Sequence, residues 1–344
     1  MYERNVMKPS SITFFCELHS SELEKFFTSN GLINQLARMD ANLSLAIHEL
    51  TPELVNVVKK LTRAGVPVTA WLLLTREEGY WTSLDTVHQT AQKYAEFRSS
   101  TQANQLTWAA IGLDIEPRID MLTRLNLNPF GQILTLKKRL FSFRKYRRLE
   151  RVMEDLIAQI HEDGYAVETY QLPSVVDERK AHSSTLARLF GLPALDVDRE
   201  VLMLYSSIFG KAADAVLWSY ASDANAIGVG STGGGTMIDE MPPLRKLRWL
   251  ELKRDLLMAS KQANHLYIFS LEGCVEQNLM DRLEGLDWDT PQSVPAARSH
   301  EISLIRKAIQ SVLWILSHPV TSFLIFFPIL WLMLPRRKRR CKPE

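Results

Sequence analysis

The chain has 344 residues, 46% hydrophobic and 23% charged, which excludes bulk disorder and supplies material for a large core. Its 41 Lys and Arg against 39 Asp and Glu leave a net charge of +2, so any attraction to anions must come from local clusters. The three cysteines, Cys16, Cys274 and Cys341, share no short motif with one another or with a His, which argues against a disulfide scaffold and a zinc cage.

The N-terminal residues Met1–Asn5 hold no apolar run, and no signal peptide is expected. Short apolar runs then recur as candidate strands at Ile12–Leu18, Leu43–Glu49, Pro67–Leu74, Leu106–Glu116, Ala166–Gln171, Val201–Ser206, Ala226–Ser231 and Leu266–Leu271. Between them apolar residues fall three and four apart, as in Leu54, Val57, Val58 and Leu61, or Leu149, Val152, Met153, Leu156, Ile157 and Ile160. Leu244–Ala259 behaves likewise. Asp214–Tyr220 looks like a strand by residue type, but Lys211–Ala224 is rich in Ala, and as a helix it completes eight strand–helix units. Such alternation predicts a parallel sheet with right-handed crossovers, and eight units match a (β/α)₈ TIM barrel over residues 1–288.

Two segments between these units stand apart. An insertion over 119–148 interleaves Lys137, Lys138, Arg139, Arg144, Lys145, Arg147 and Arg148 with Leu140, Phe141, Phe143 and Tyr146. It is either a solvated basic face or a contact for anionic lipid headgroups; without a recognition fold or a wider basic surface, nucleic acid is not expected. The run Gly228–Thr236 after the seventh strand lies where many barrels bind phosphate, but it lacks the P-loop Lys spacing and the dinucleotide fingerprint.

Residues 289–307, with Pro291 and Pro295, read as a linker. From Ala308 to Leu334 there is no Asp, Glu, Lys or Arg, and Trp314 and Trp331 sit near opposite ends of the densest part. The pattern predicts one transmembrane helix over 308–335, then a basic tail over 336–344. The tail's charge favours a cytoplasmic tail with the barrel outside, whereas the missing signal peptide favours a tail anchor with a cytoplasmic barrel. We take the second as the expectation, a single-pass membrane protein.

In a barrel of this kind the site lies at the C-terminal ends of the strands. Strand alternation puts Asp114 and Glu116 on one face and Ile115 on the other, with Pro117 stopping the strand. Two carboxylates so close repel when ionised, so one should hold its proton near neutral pH, as leaving-group protonation requires. Glu17, Glu49 and Glu272 end strands one, two and eight, and Trp71, Tyr80, Trp81, Tyr170 and Tyr205 supply aromatic walls. An acidic basin with aromatic walls suits a sugar. The catalytic candidates are Glu116 and Asp114, with Glu272 or Glu49 as partner. Glu17, Trp71, Tyr170, Gln171, Tyr205 and Ser231 are candidates for substrate binding. His19 and His48 lie near these acids, but no metal-ligand spacing accompanies them, so neither a metal nor a cofactor is expected.

The order Gly112, Leu113, Asp114, Glu116 at the end of strand four resembles the barrel glycoside hydrolases, loosely the chitinase-like group. The resemblance covers the barrel in outline and this motif in detail. It departs in length, since that group has a longer run of acids with its Glu four positions beyond the matching Asp rather than two. It implies Glu116 as the acid and Asp114 as the group that orients it. The expected function is a membrane-anchored, glycoside-hydrolase-like enzyme acting on a carbohydrate or glycolipid. The alternatives are a barrel enzyme on a phosphorylated or lipid-linked substrate, and a non-catalytic, membrane-tethered binding barrel.

Overall fold

The computed structural model describes residues 9–28, 31–128, 130–236, 243–322 and 324. Eight parallel strands close into a barrel in sequence order: β1 Ser11–Cys16, β2 Ala41–Ile47, β3 Val68–Leu72, β4 Ala110–Ile115, β5 Ala166–Gln171, β6 Arg199–Met203, β7 Ala226–Gly230 and β8 His265–Phe269. The ring closes where β1 pairs with β8, Phe15 opposite Phe269. Helices follow the strands as the apolar spacing predicts. Pro52–Arg63 begins with Thr51 accepting from the Leu54 amide, carries Pro at its start, and buries Leu54, Val55, Val57, Val58 and Leu61. The ambiguous stretch after β6 is helical over Ala213–Ala221.

Two apolar layers result. One lies between sheet and helices. The other fills the barrel with Phe15, Ala46, Trp71, Tyr170, Met203, Tyr205 and Tyr267. The barrel floor is polar: Glu168 accepts from Arg199 at 2.7 Å, Arg199 also donates to the Tyr267 hydroxyl at 3.2 Å, and the hydroxyls of Ser44 and Tyr170 meet at 2.6 Å. The Tyr170 hydroxyl can lie there only because residue 112 has no side chain. A Cβ on Gly112 would stand 2.4 Å from that oxygen.

The expected transmembrane helix is corrected. Among the described residues no helix is long and apolar enough to cross a membrane. As far as residue 317 the uncharged run is not a separate element. Its first part is the second half of a helix, Ala296–Ser317, whose first half carries Arg298, Glu301, Arg306 and Lys307. That helix ends at Ser317, before His318 and Pro319, because a following proline disfavours helical backbone in the residue before it. It docks on the barrel through a buried Arg306, which bonds Asp177 at 3.0 Å and Asp223 at 2.7 Å and also reaches the Ser219 carbonyl. Ser317 hydrogen-bonds Ser183 at 2.7 Å and Thr185 at 3.0 Å. The expected membrane localisation falls with the span. The rest of that stretch (323 and 325–335) and the tail 336–344 lie outside the described residues.

The basic insertion forms the helices Ile119–Leu127 and Ile133–Leu140 and opens the helix Phe143–Glu162. Part of its charge is internal. Arg139 bonds Asp85 and the carbonyls of Arg188 and Leu189, and Lys145 lies 3.6 Å from Asp85.

Candidate active site

The mouth of the barrel opens into a cavity of about 520 Å³. Three of the expected acids, Glu17, Asp114 and Glu116, line it together, with Trp71, Trp81, Tyr170, Tyr205 and Ser231. Strand geometry explains the convergence. Phe15 and Glu17 are two apart on and just beyond β1, and Gly112, Asp114 and Glu116 are two apart along β4, so each set faces inward. The β4 end is pinned by a parallel bridge to Thr82, whose amide donates to the Asp114 carbonyl at 2.8 Å and whose carbonyl accepts from the Glu116 amide at 3.2 Å.

The acids differ in surroundings. Asp114 is almost fully buried; burial and the charges of Glu116 and Glu17 hold its carboxyl well above the usual carboxylate range. The Trp71 indole opposes that shift, yet its Nε1 and Asp114 Oδ1 do not meet at hydrogen-bonding geometry; both are buried without a partner among the described residues. Glu116 is pushed up to about 7 by burial. Glu17 is raised to about 8, by burial first and also by the charges of Glu272 and Glu116. Two bonds pull Glu17 back towards its ionised form: Tyr80 donates its hydroxyl to Glu17 Oε1 at 2.5 Å, and the Thr236 backbone bonds the carboxylate.

Glu272 stands behind Glu17. It occupies the first turn of the helix Leu271–Glu276, capped by Ser270, and its Oε1 accepts from the Glu17 amide at 3.0 Å. It does not line the cavity; burial raises it to about 7 and its Oε2 has no partner among the described residues. Glu49 is not brought to the site. Strand β2 ends at Ile47, and Glu49 is exposed in the loop beyond. Gln171 alternates with Tyr170, so it points away from the cavity and donates to Thr169 Oγ1 at 3.0 Å.

His48 stacks on His19 with ring centroids 4.9 Å apart. Burial, with the charges of His19 and Lys93, lowers His48 to about 4, so it is neutral at pH 7. Among the described residues no group of three or more His, Cys, Asp or Glu is arranged to hold a metal ion. The glycine-rich run packs onto the acids. A Cβ on Gly234 would stand 2.6 Å from Glu272 Cγ, and one on Gly235 would stand 3.3 Å from Glu17 Oε2.

Several lining residues had no signal in the sequence: Phe269, Met203, Leu122, Leu172, Ile208 and Leu244. Phe15 could have been found from alternation with Glu17. The Tyr80–Glu17 bond joins residues 63 apart and depends on how the loop after β3 folds back.

No protein-family model matches the chain, and a search of curated proteins finds no match. Among solved structures it is similar to the PgaB (BpsB) glycoside hydrolase domain from Bordetella bronchiseptica, with 11% identity over 82% of this chain and 99% of that one, at a TM-score of 0.46. A GH18 chitinase from Pseudoalteromonas aurantia gives 10% identity, 80% and 99% coverage, and 0.41. The tryptophan synthase alpha-subunit from Pyrococcus furiosus gives 13%, 81% and 96%, and 0.38. Likeness at this level does not separate one barrel activity from another, so activity has to be argued from the site.

Proposed function

We propose that the chain hydrolyses glycosidic bonds, with Glu116 as general acid and Glu17 as the opposed carboxylate. One observation carries this: Glu17, Asp114 and Glu116 share one aromatic-walled cavity in which burial lifts Glu116 to about 7, Glu17 to about 8 and Asp114 well above the usual carboxylate range. Breaking a glycosidic bond needs a proton for the leaving oxygen as the C–O bond lengthens. A carboxyl near 7 still holds that proton at neutral pH and gives it up readily when charge develops. Positive charge builds on the ring carbon, and a carboxylate must face it or activate the attacking water.

Glu17 is equipped for that second role, because Tyr80 and the Thr236 backbone both bond its ionised form. Water supplies hydroxide to the ring carbon, its proton passes to Glu17, and the proton of Glu116 leaves with the alcohol. Asp114 lies deeper beside Glu116, its carboxyl raised well above the usual carboxylate range by burial and by the charges of Glu116 and Glu17. The rings of Trp71, Trp81 and Tyr205 offer faces on which a sugar stacks.

A panel of 4-nitrophenyl glycosides tests this. With full-length protein, Glu116→Gln should lower turnover at least about 100-fold, since general acid catalysis contributes roughly 10²–10⁴, and leave the melting profile cooperative. Undiminished turnover in that variant would remove Glu116 from the mechanism.

A further inference from the structure

The cavity has two chemically different walls. The carboxylates rise from β1 and β4, whereas the sector above β4 to β7 is aliphatic: Leu122, Leu172, Ile208 and Leu244. Two of these are large apolar side chains left in water at the rim, Ile208 at 52% and Leu244 at 48% exposure. The insertion that carries Leu122 also holds exposed apolar residues at Leu127, Phe130, Ile133 and Leu134.

Two polar groups in this sector are already engaged. Lys246 pairs with Glu276 at 2.7 Å, and Ser231 Oγ accepts from the Gly233 amide at 3.1 Å. A sugar ring placed here would find few partners for its hydroxyls. A hydrocarbon chain would lose nothing and would cover surface that otherwise orders water. Apolar side chains left exposed at the rim of a cavity suit an apolar ligand group.

Resting on the glycoside-hydrolysis reading, we infer that the substrate is an amphiphilic glycoside: the sugar occupies the acidic, aromatic floor, and an alkyl or acyl-bearing aglycone lies along Leu122, Leu172, Ile208 and Leu244. Hydrolysis then releases an apolar alcohol, which takes the proton of Glu116 and is already seated on the path outwards.

The test is isothermal titration of full-length Glu116→Gln protein with methyl, hexyl, octyl and decyl β-D-glucosides, each below its micellar concentration. Affinity should rise about two- to fourfold per added methylene, the upper value being full burial at about 0.8 kcal/mol per CH₂. The slope should flatten in Leu122→Ser/Ile208→Ser and persist in Val320→Ser, which removes an exposed apolar side chain of the C-terminal segment away from the cavity lining. Affinity independent of chain length, or an unchanged slope in the double variant, would overturn the inference. Failure of the hydrolysis reading shows separately, as no turnover across the glycoside panel or full turnover by Glu116→Gln.

Discussion

At the scale of single residues, the site is built on carboxyls made reluctant to ionise. The proposed hydrolysis needs Glu17 charged and Glu116 protonated. With Glu17 raised to about 8 and Glu116 to about 7, that arrangement is a minor one of the pair, and hydrogen bonds decide how minor. Tyr80→Phe removes a bond to the charged form of Glu17, so the Glu17 pKa should climb further. The expected result is a fall in kcat on the order of tenfold for each unit of that climb, with the acidic limb of the pH–rate profile moving to higher pH. Glu49→Gln provides the contrast: exposed and outside the cavity, it should leave kcat/KM within about twofold of the parent chain. Sequence pattern told these two glutamates apart poorly. Glu17 and Glu49 both follow an apolar strand, but β2 stops at Ile47 and leaves Glu49 in the loop. The Asp114–Glu116 pair was legible because alternation and Pro117 are local. The tie of Glu17 to Tyr80 and Glu272 is not local and left no trace in spacing.

At the scale of elements, the helix Ala296–Ser317 shows how an apolar run can mislead. Its composition from residue 308 onwards fits lipid, yet a buried cation two residues earlier, Arg306, ties it to the barrel. Arg306 stacks over Tyr220 at 3.7 Å and satisfies Asp177, which is fully buried and also accepts from Gln310 at 2.8 Å. Removing one partner of a buried ion pair strands the other. Arg306→Ala should therefore cost on the order of 3–5 kcal/mol in urea denaturation and speed amide exchange across Ala296–Ser317. Hydropathy averaged over a window cannot register this, because the ionic partners are remote in sequence, Asp177 in the helix after β5 and Asp223 in the turn that leads into β7. Strand β4 carries a second test. Gly112→Ala has no room beside the Tyr170 hydroxyl, so it should destabilise by roughly 1–3 kcal/mol, and on the hydrolysis proposal the displaced ring should narrow the cavity and raise KM.

At the scale of the whole molecule, the eight-unit barrel was legible because period-two and period-3.6 stretches alternate down the chain, and a parallel sheet of eight such units can close. The acidic mouth makes the stability of that barrel depend on pH. Glu17, Glu116 and Glu272 have folded pKa values above the unfolded value near 4.5, so the folded chain binds more protons between about pH 4.5 and 8. Their protonated forms stabilise the fold fully below the unfolded pKa, and that contribution is lost as pH rises through 7 to 8. Scanning calorimetry should show Tm falling by several degrees from pH 5 to pH 8, and Glu17→Gln/Glu116→Gln should flatten the fall. A Tm that instead rose across this range would contradict the burial of these carboxyls.

The bond from the Glu17 amide to Glu272 joins residues 255 apart, and it lies on the seam where the last strand meets the first. The half-barrel up to β4 already holds Glu17, Asp114 and Glu116, yet it has neither the Glu272 carboxylate nor the Thr236 backbone that orient Glu17. If the chain acts as proposed, its catalytic site therefore stays incomplete during synthesis until nearly all of the barrel has been made. Recovery of turnover after dilution from denaturant becomes a clock for ring closure, and it should lag behind the return of helical signal.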